Sequence, residues 1–127
     1  MKKILLVDDS EVYIEIALNI LKPQYDIIAA KSGNEALSFL AGGFVPDLIL
    51  LDILMPEMDG WETYNLIKGI SLLRDVPIAF LTALDSEADK DQAVIIGASA
   101  FITKPFQKEI LLEKINAIIQ QHESGKR

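Results

Sequence analysis

Carboxylate side chains stand at points where apolar segments of the chain end. Asp8 and Asp9 directly follow the apolar residues ILLV, and Asp52 directly follows LILL. Three carboxylates held close together repel one another, which raises their pKa values and destabilises a fold. A divalent cation removes that cost, and Mg²⁺ prefers oxygen ligands, commonly one or two carboxylates together with water. If the fold brings the three aspartates together, they are candidate ligands of Mg²⁺.

Two further residues have side chains suited to a phosphoryl group. Thr82 follows the apolar segment IAFL, and Lys104 comes shortly after the segment AFI. A carboxylate can act as a nucleophile towards phosphorus. An ammonium and a hydroxyl can neutralise and hydrogen-bond the phosphoryl oxygens. Together with the aspartates, these residue types indicate phosphoryl chemistry on an aspartate.

The elements that must position these residues alternate along the chain. Apolar segments of strand length are each followed by a segment of helical length, and the predicted strands are 4–7, 27–30, 48–51, 78–81 and 100–102. The strands are continuously apolar, which is typical of strands covered on both faces. Ser32 with Glu35, and Ser86 with Asp89, are helix-start signals. Five such alternations predict a parallel sheet with right-handed crossovers.

The order of the strands decides whether the candidate residues meet. In an open α/β sheet, ligands bind beyond the carboxyl ends of the strands, where the strand order reverses. In the order 2-1-3-4-5, strands one and three are neighbours, so that Asp8, Asp9 and Asp52 converge. Thr82 and Lys104 reach the same edge. We therefore predict a doubly wound α/β domain, in which the order 2-1-3-4-5 would bring these residues together.

Composition limits the classes of function. The 127 residues suit one domain, and the absence of cysteine excludes a disulfide scaffold. A net charge of −7 argues against direct nucleic-acid binding. The first apolar segment is too short for a signal peptide, and no apolar segment is long enough to cross a bilayer. We expect a soluble, cytoplasmic protein whose macromolecular partners are other proteins, with no membrane or nucleic-acid partner.

Four motifs resemble those of a known family. VDDS follows strand one, LLDILMPEMDG surrounds the end of strand three, FLTA ends strand four, and GASAFITKPF spans strand five. In this order and spacing, over nearly the whole chain, they resemble the receiver domains of two-component response regulators. The resemblance implies an α/β, flavodoxin-like doubly wound (βα)5 fold with a five-stranded parallel sheet in the order 2-1-3-4-5. The resemblance implies that Asp52 accepts a phosphoryl group from a histidine kinase or histidine phosphotransfer protein. Such a chain is a signalling switch, not an enzyme, and catalyses only its own phosphoryl transfer and slow self-dephosphorylation.

The resemblance also assigns roles to the other candidates. It implies that Asp9, Asp52 and the backbone carbonyl of Leu54 bind Mg²⁺, with Asp8 helping through water. Thr82 and Lys104 would hold the phosphoryl group.

The resemblance places the output on one face of the domain. It implies that a downstream protein binds the face formed by helix 4, strand 5 and helix 5. Phe101 matches the family's aromatic switch position. It fits equally well as an aromatic residue of strand five that packs in the core. Ser99 and Ala100 replace the acid pair that often marks the branch dimerising through this face, which weakens that assignment.

Two finer expectations concern the site. In receivers, the residues two past the acceptor aspartate and two past the threonine flank the path of the attacking water. Here both are leucine, Leu54 and Leu84. Because leucine can neither orient that water nor shield the phosphoryl group by a polar contact, we predict slow dephosphorylation, suited to a sustained signal or a phosphorelay. We also predict a cis bond between Lys104 and Pro105, since Lys104 must turn back sharply towards Asp52.

The same residues also invite three other interpretations of the function. A phosphatase of the haloacid dehalogenase type has a second aspartate two residues after its strand-one nucleophile, where this chain has Ser10. A flavin carrier of flavodoxin type needs a hydroxyl-rich phosphate loop after strand one, where this chain has acids. An inert pseudo-receiver would lack site residues that are all present here. Taken alone, Asp9 also fits a helix N-cap and Lys104 a surface lysine.

The extent of the domain is a separate expectation. We predict a receiver domain over residues 1–120 and a flexible tail, or the start of a linker, over residues 121–127. The chain is interpreted as a single-domain regulator or as a receiver cut from a longer regulator or hybrid kinase.

Overall fold

Strands and helices alternate along the whole chain, as the sequence predicted. The computed structural model describes residues 1–125. The elements in chain order are β1 (Lys3–Val7), α1 (Glu11–Leu21), β2 (Asp26–Ala30), α2 (Gly33–Ala41), β3 (Leu48–Leu51), α3 (Gly60–Lys68), a 3-10 helix (Ser71–Leu73), β4 (Ile78–Thr82), α4 (Glu87–Ile96), β5 (Ala100–Thr103) and α5 (Lys108–Ser124).

The five strands form one parallel sheet in the order β2-β1-β3-β4-β5. This order confirms the predicted doubly wound arrangement. The central register pairs Val7 of β1 with Leu51 of β3, and Thr82 of β4 with Thr103 of β5. Because these paired residues lie at the carboxyl ends of their strands, the side chains that follow them emerge at one edge of the sheet.

The sheet is covered on both faces, which explains why its central strands are continuously apolar. One apolar cluster joins the sheet to α2, α3 and α4, and the other joins it to α1 and α5. Successive residues of β1 contribute alternately to the two clusters, with Leu5 in the first and Ile4 in the second. All four residues of β3 are fully buried. The apolar area removed from water on both faces fixes the strands and therefore the edge they form.

Side-chain caps fix where four helices begin. Ser10, Ser32, Asp59 and Ser86 each accept a hydrogen bond from the backbone N–H three residues on. The cap of α1 is thus Ser10, so Asp9 is left available for another role. The largely polar α4 begins after Ser86 and ends before Gly97, whose φ of 91° is the left-handed conformation that glycine adopts easily.

The 3-10 helix Ser71–Leu73 is not predicted from the sequence, because a single turn carries no periodic pattern. At the other end of the domain, α5 continues to Ser124. Ile118 and Ile119 pack against the sheet, and Glu123 forms an ion pair with Lys2, so the last turns of the helix are held in place. Residues 126 and 127 of the predicted tail lie outside the described residues.

Within residues 1–125, no helix is both long and apolar enough to cross a membrane.

Candidate functional site

The three candidate aspartates converge at the carboxyl edge of the sheet. Asp8 follows β1 and Asp52 follows β3, and these two strands are neighbours. Carboxylate oxygens of Asp8, Asp9 and Asp52 lie within 4.8 Å of one another. Asp8 is 1% exposed and Asp52 is 4% exposed, whereas Asp9 faces solvent. The cluster therefore has two buried carboxylates and one carboxylate open to an incoming ligand.

Lys104 joins the cluster from the other side of β4. Its Nζ lies 2.5 Å from Oδ2 of Asp8 and 3.0 Å from Oδ2 of Asp52, and its side chain is 5% exposed. Its backbone N–H donates to the Thr82 carbonyl at 2.8 Å, which extends the pairing of β4 and β5. The peptide bond between Lys104 and Pro105 is cis, as predicted. One buried ammonium thus contacts both buried carboxylates.

Burial and charge shift the pKa values of this group. Burial raises the pKa of the Asp8 carboxyl, against the opposing effects of its hydrogen bonds with Lys104 and the Ser10 N–H. Burial acts to lower the pKa of Lys104, but its hydrogen bonds with Asp8 and Asp52 outweigh that effect, and the pKa is raised. The lysine is therefore held as an ammonium, and the aspartates outnumber it.

This donor set fits a hard divalent cation. The three oxygens are close enough to share one ion, and one ammonium cannot offset all three carboxylates. Mg²⁺ prefers such oxygen ligands and retains several waters, which the exposed position of Asp9 allows. The cluster therefore has the composition and spacing of a magnesium site.

The loop after β3 holds Asp52 in position. Oδ1 of Asp52 accepts a hydrogen bond from the Leu54 N–H at 3.2 Å, and the Gly60 N–H donates to the Ile53 carbonyl at 2.9 Å. A Cβ at Gly60 would lie 2.4 Å from the Asp52 carbonyl oxygen and 2.5 Å from the Ile53 Cα. Only a glycine lets the start of α3 approach the Asp52 backbone this closely. The preceding Asp59 caps α3, so the pair Asp59-Gly60 both begins the helix and allows this approach.

Thr82 lies at the same edge and has a fixed hydroxyl. The residue is fully buried, and its Oγ1 accepts a hydrogen bond from the Leu84 N–H at 3.3 Å. Because the oxygen accepts this bond, its own hydrogen is free to be donated to a ligand. Thr82 is next to Lys104 across the sheet edge through the backbone bond between them. Within the described part of the chain, no side-chain hydrogen bond joins Thr82 to the three aspartates.

The two leucines at this edge have different environments. The Leu54 side chain is 53% exposed, whereas Leu84 is half-buried against the apolar cluster beneath α2, α3 and α4. Neither side chain brings a polar atom to the site.

An aromatic group lies below the site. Phe80 is fully buried, and its ring centroid lies 4.9 Å from that of Trp61, 5.7 Å from that of Tyr64 and 6.4 Å from that of Phe101. The half-buried Phe101 therefore packs against the core, which agrees with its reading as a strand-five core aromatic.

Sequence reasoning missed one residue that contacts the site. The Lys104 Nζ lies 4.4 Å from the centroid of the Tyr13 ring. Tyr13 stands in the first turn of α1, four residues after Asp9, and no motif singled it out. Only its closeness to the aspartates in the chain could have drawn attention to it.

Comparison with known proteins agrees with the geometry. A model of the response regulator receiver domain family matches residues 4–116. Since this is most of the chain, the chain belongs to the response regulator receiver domain family. It is a receiver domain of two-component signalling. Receiver domains interact with histidine kinases or phosphotransfer proteins and with downstream targets.

Two characterised relatives show how much of the chain is shared. Protein PilG of Pseudomonas aeruginosa is 38% identical over 116 residues, which cover 91% of this chain and 85% of PilG. The alkaline phosphatase synthesis transcriptional regulatory protein PhoP of Bacillus subtilis is 38% identical over 123 residues. These cover 96% of this chain but 50% of PhoP. The chain thus spans nearly all of one relative and half of the other.

Solved structures show the same fold. The signal receiver domain of a signal transduction histidine kinase from Syntrophus aciditrophicus has a TM-score of 0.84 and 35% identity, covering 95% of this chain and 92% of that one. The chemotaxis protein CheY4 of Vibrio cholerae has a TM-score of 0.86 and 32% identity, covering 93% of this chain and 98% of that one. These structures support the flavodoxin-like arrangement of the sheet.

Proposed function

We propose that Asp52 is the phosphoacceptor of this receiver domain. The observation that carries the proposal is the position of the Asp52 carboxylate. It is buried, lies within 4.8 Å of the Asp8 and Asp9 oxygens, and is 3.0 Å from the Lys104 ammonium. The donor is a phosphohistidine of a histidine kinase or a histidine phosphotransfer protein.

The transfer follows from these positions. A carboxylate oxygen of Asp52 attacks the phosphorus of the donor, so that an oxygen–phosphorus bond forms while the nitrogen–phosphorus bond of the phosphohistidine breaks. The electron pair of the broken bond stays on the imidazole nitrogen. Lys104 neutralises a phosphoryl oxygen, and the Thr82 hydroxyl donates to another because its oxygen already accepts from Leu84.

The metal of this site is proposed to be Mg²⁺. Asp8, Asp9, Asp52 and the backbone carbonyl of Leu54 would hold it, with Asp8 acting through water. When bound, the ion neutralises negative charge on the carboxylates and on the phosphoryl oxygens. Asp9 provides the open side of the site, since its carboxylate is exposed while those of Asp8 and Asp52 are buried.

The output surface is proposed to be the face formed by α4, β5 and α5, which would bind a downstream protein. Val94 and Ile95 of α4 are each 77% exposed, and Ile110 of α5 is 45% exposed. Exposed apolar side chains on neighbouring elements are typical of a surface that another protein covers. Phe101 of β5 lies between the two helices in chain order and contacts the core through Phe80.

The chain acts as a switch and not as an enzyme on other substrates. In this proposal it catalyses its own phosphoryl transfer and a slow self-dephosphorylation. The apolar side chains of Leu54 and Leu84 provide no hydrogen bond to orient an attacking water, which supports the slow rate.

Labelling with a small donor tests the acceptor. We expect acetyl phosphate with Mg²⁺ to add one phosphoryl group to the wild type, measured by intact mass. Asp52→Asn should remain unlabelled, and Asp47→Asn should be labelled normally as a matched control at the opposite edge of the sheet. Labelling of Asp52→Asn equal to that of the wild type would overturn the assignment.

A further inference from the structure

The Tyr13 ring lies against the ammonium of the buried lysine. The Lys104 Nζ is 4.4 Å from the ring centroid, well within the distance at which a cation is attracted to an aromatic face. Within residues 1–125, the ion-pair partners of that ammonium are the carboxylates of Asp8 and Asp52.

Two contacts position Tyr13, one through its backbone and one through its ring. The Tyr13 backbone N–H donates to the Ser10 hydroxyl at 3.4 Å, which fixes the first turn of α1. The Phe106 ring, which follows Pro105 in the loop after β5, packs against it with centroids 5.9 Å apart. Tyr13 and Phe106 are both half-buried. The aromatic face is therefore supported from the same loop that carries Lys104.

The other two contacts of the ammonium are shared with the ligands of the site. Asp8 and Asp52 are candidate ligands of a cation, and Asp52 is the proposed phosphoacceptor. A cation bound to either carboxylate lowers the attraction of that carboxylate for Lys104. The aromatic face of Tyr13 keeps its attraction for the ammonium, because the ring is neither a metal ligand nor an acceptor of the phosphoryl group.

We propose that Tyr13 is a positioning residue that holds the Lys104 ammonium beside Asp52 when the carboxylates are engaged. The ring keeps the lysine near the developing charge of the phosphoryl group. The lysine side chain therefore already has the position that the transfer requires. This inference rests on the proposed function of Asp52.

Two substitutions distinguish the effect of the aromatic face of Tyr13 from the effect of its apolar volume. Tyr13→Phe keeps the aromatic face, and Tyr13→Leu keeps apolar volume without it. We expect Tyr13→Leu to slow the labelling of Asp52 by acetyl phosphate about fivefold at saturating Mg²⁺, with Tyr13→Phe restored to the wild-type rate. Tyr25→Leu, which removes a ring at the opposite edge of the sheet, should lower the melting temperature without slowing labelling below that temperature. Equal rates for Tyr13→Leu and Tyr13→Phe would overturn the proposal.

A second arm does not depend on phosphorylation. Melting temperatures are measured without Mg²⁺ for both Tyr13 variants, each with Lys104 and with Lys104→Met. We expect Tyr13→Leu to melt about 4 °C below Tyr13→Phe when Lys104 is present, and a smaller difference, from the lost packing on Phe106, when Lys104 is replaced. The same difference in both backgrounds would show that the ring acts through packing alone and would overturn the proposal. If Lys104→Met does not fold, the labelling rates of Tyr13→Leu and Tyr13→Phe decide the question. Absence of labelling in the wild type would refute the proposed function of Asp52. The thermal comparison would still show whether the Tyr13 ring stabilises the protein through Lys104.

Discussion

The ammonium of Lys104 lies 3.0 Å from Oδ2 of Asp52, with each side chain only 5% exposed. The two residues follow β5 and β3, and β4 lies between those strands. Such a contact requires β3, β4 and β5 to be assembled, because the two residues are far apart in the chain. The lysine offsets part of the charge that the three aspartates concentrate at this edge.

Removing this ammonium should destabilise the protein. We expect Lys104→Met to lower the free energy of unfolding by about 3 kcal/mol in Mg²⁺-free buffer, because buried carboxylates are left without their partner. Denaturation with urea measures the difference. Lys22→Met, which replaces an exposed lysine, should change the free energy of unfolding by less than about 0.5 kcal/mol.

The difference in stability between the wild type and Lys104→Met should decrease as the pH rises into the strongly alkaline range. The pKa of Lys104 is raised in the folded protein, so its contribution is fully present below the pKa of an unfolded lysine. It is lost as the pH rises through the higher folded value. On the alkaline side, the wild type and Lys104→Met should therefore converge in stability only at strongly alkaline pH. A difference that disappears between neutral pH and the pKa of a free lysine would contradict this account of the site.

Mg²⁺ should stabilise the folded protein through the aspartate cluster. At a concentration about 100 times its Kd, an ion that binds only the folded state adds about 2.7 kcal/mol to the free energy of unfolding. We expect Asp9→Asn to abolish this gain, and Asp26→Asn, at the opposite edge of the sheet, to retain it. Thermal denaturation with and without Mg²⁺ provides the measurement. A wild-type melting temperature that does not change when Mg²⁺ is added would show that the cluster is not a metal site.

Gly60 should not tolerate even one added carbon. Because a Cβ there would lie 2.4 Å from the Asp52 carbonyl oxygen, we expect Gly60→Ala to destabilise the fold by about 2 kcal/mol. It should also weaken Mg²⁺ binding, since the backbone beside Asp52 must move. At Gly69 the nearest atom would be 3.4 Å away, so Gly69→Ala serves as the control. Equal unfolding free energies for the two variants would refute the close approach.

The phosphoryl group should be long-lived. Leu54 and Leu84 bring no polar atom to the path of water, and the loss of an orienting contact worth about 1.4 kcal/mol slows a step tenfold. We expect phospho-Asp52 to decay at least tenfold faster in Leu54→Asn with Leu84→Glu than in the wild type, followed after removal of the donor in Mg²⁺. A wild-type lifetime of seconds, or a double variant that decays no faster, would show that these leucines do not set the rate.

The strands and the acidic cluster could be predicted from the sequence because their signals are local. LILL is both the predicted and the observed β3, since a buried strand must be apolar throughout. Asp8 and Asp52 converge because each follows a strand whose neighbour the strand order fixes. Patterns of this kind need no knowledge of side-chain conformation.

Other features depend on contacts that no local pattern contains. The N-cap of α1 is Ser10 although Asp9 has the same preference, because the cap depends on where the strand lets the helix begin. The end of α5 at Ser124 depends on packing against the sheet and on the ion pair of Glu123 with Lys2. The contact of Tyr13 with Lys104 requires side-chain conformations from two distant elements. These are the contacts that only the assembled structure shows.

Mapping the modified residue tests the central claim most directly. The wild type is incubated with a phosphohistidine donor protein and Mg²⁺, and borohydride then reduces any aspartyl phosphate to homoserine before peptide mass spectrometry. We predict homoserine at position 52 and aspartate retained at positions 8, 9 and 47. Homoserine at any of those three positions with Asp52 intact, or a phosphoryl group found only on another residue type, would contradict the account.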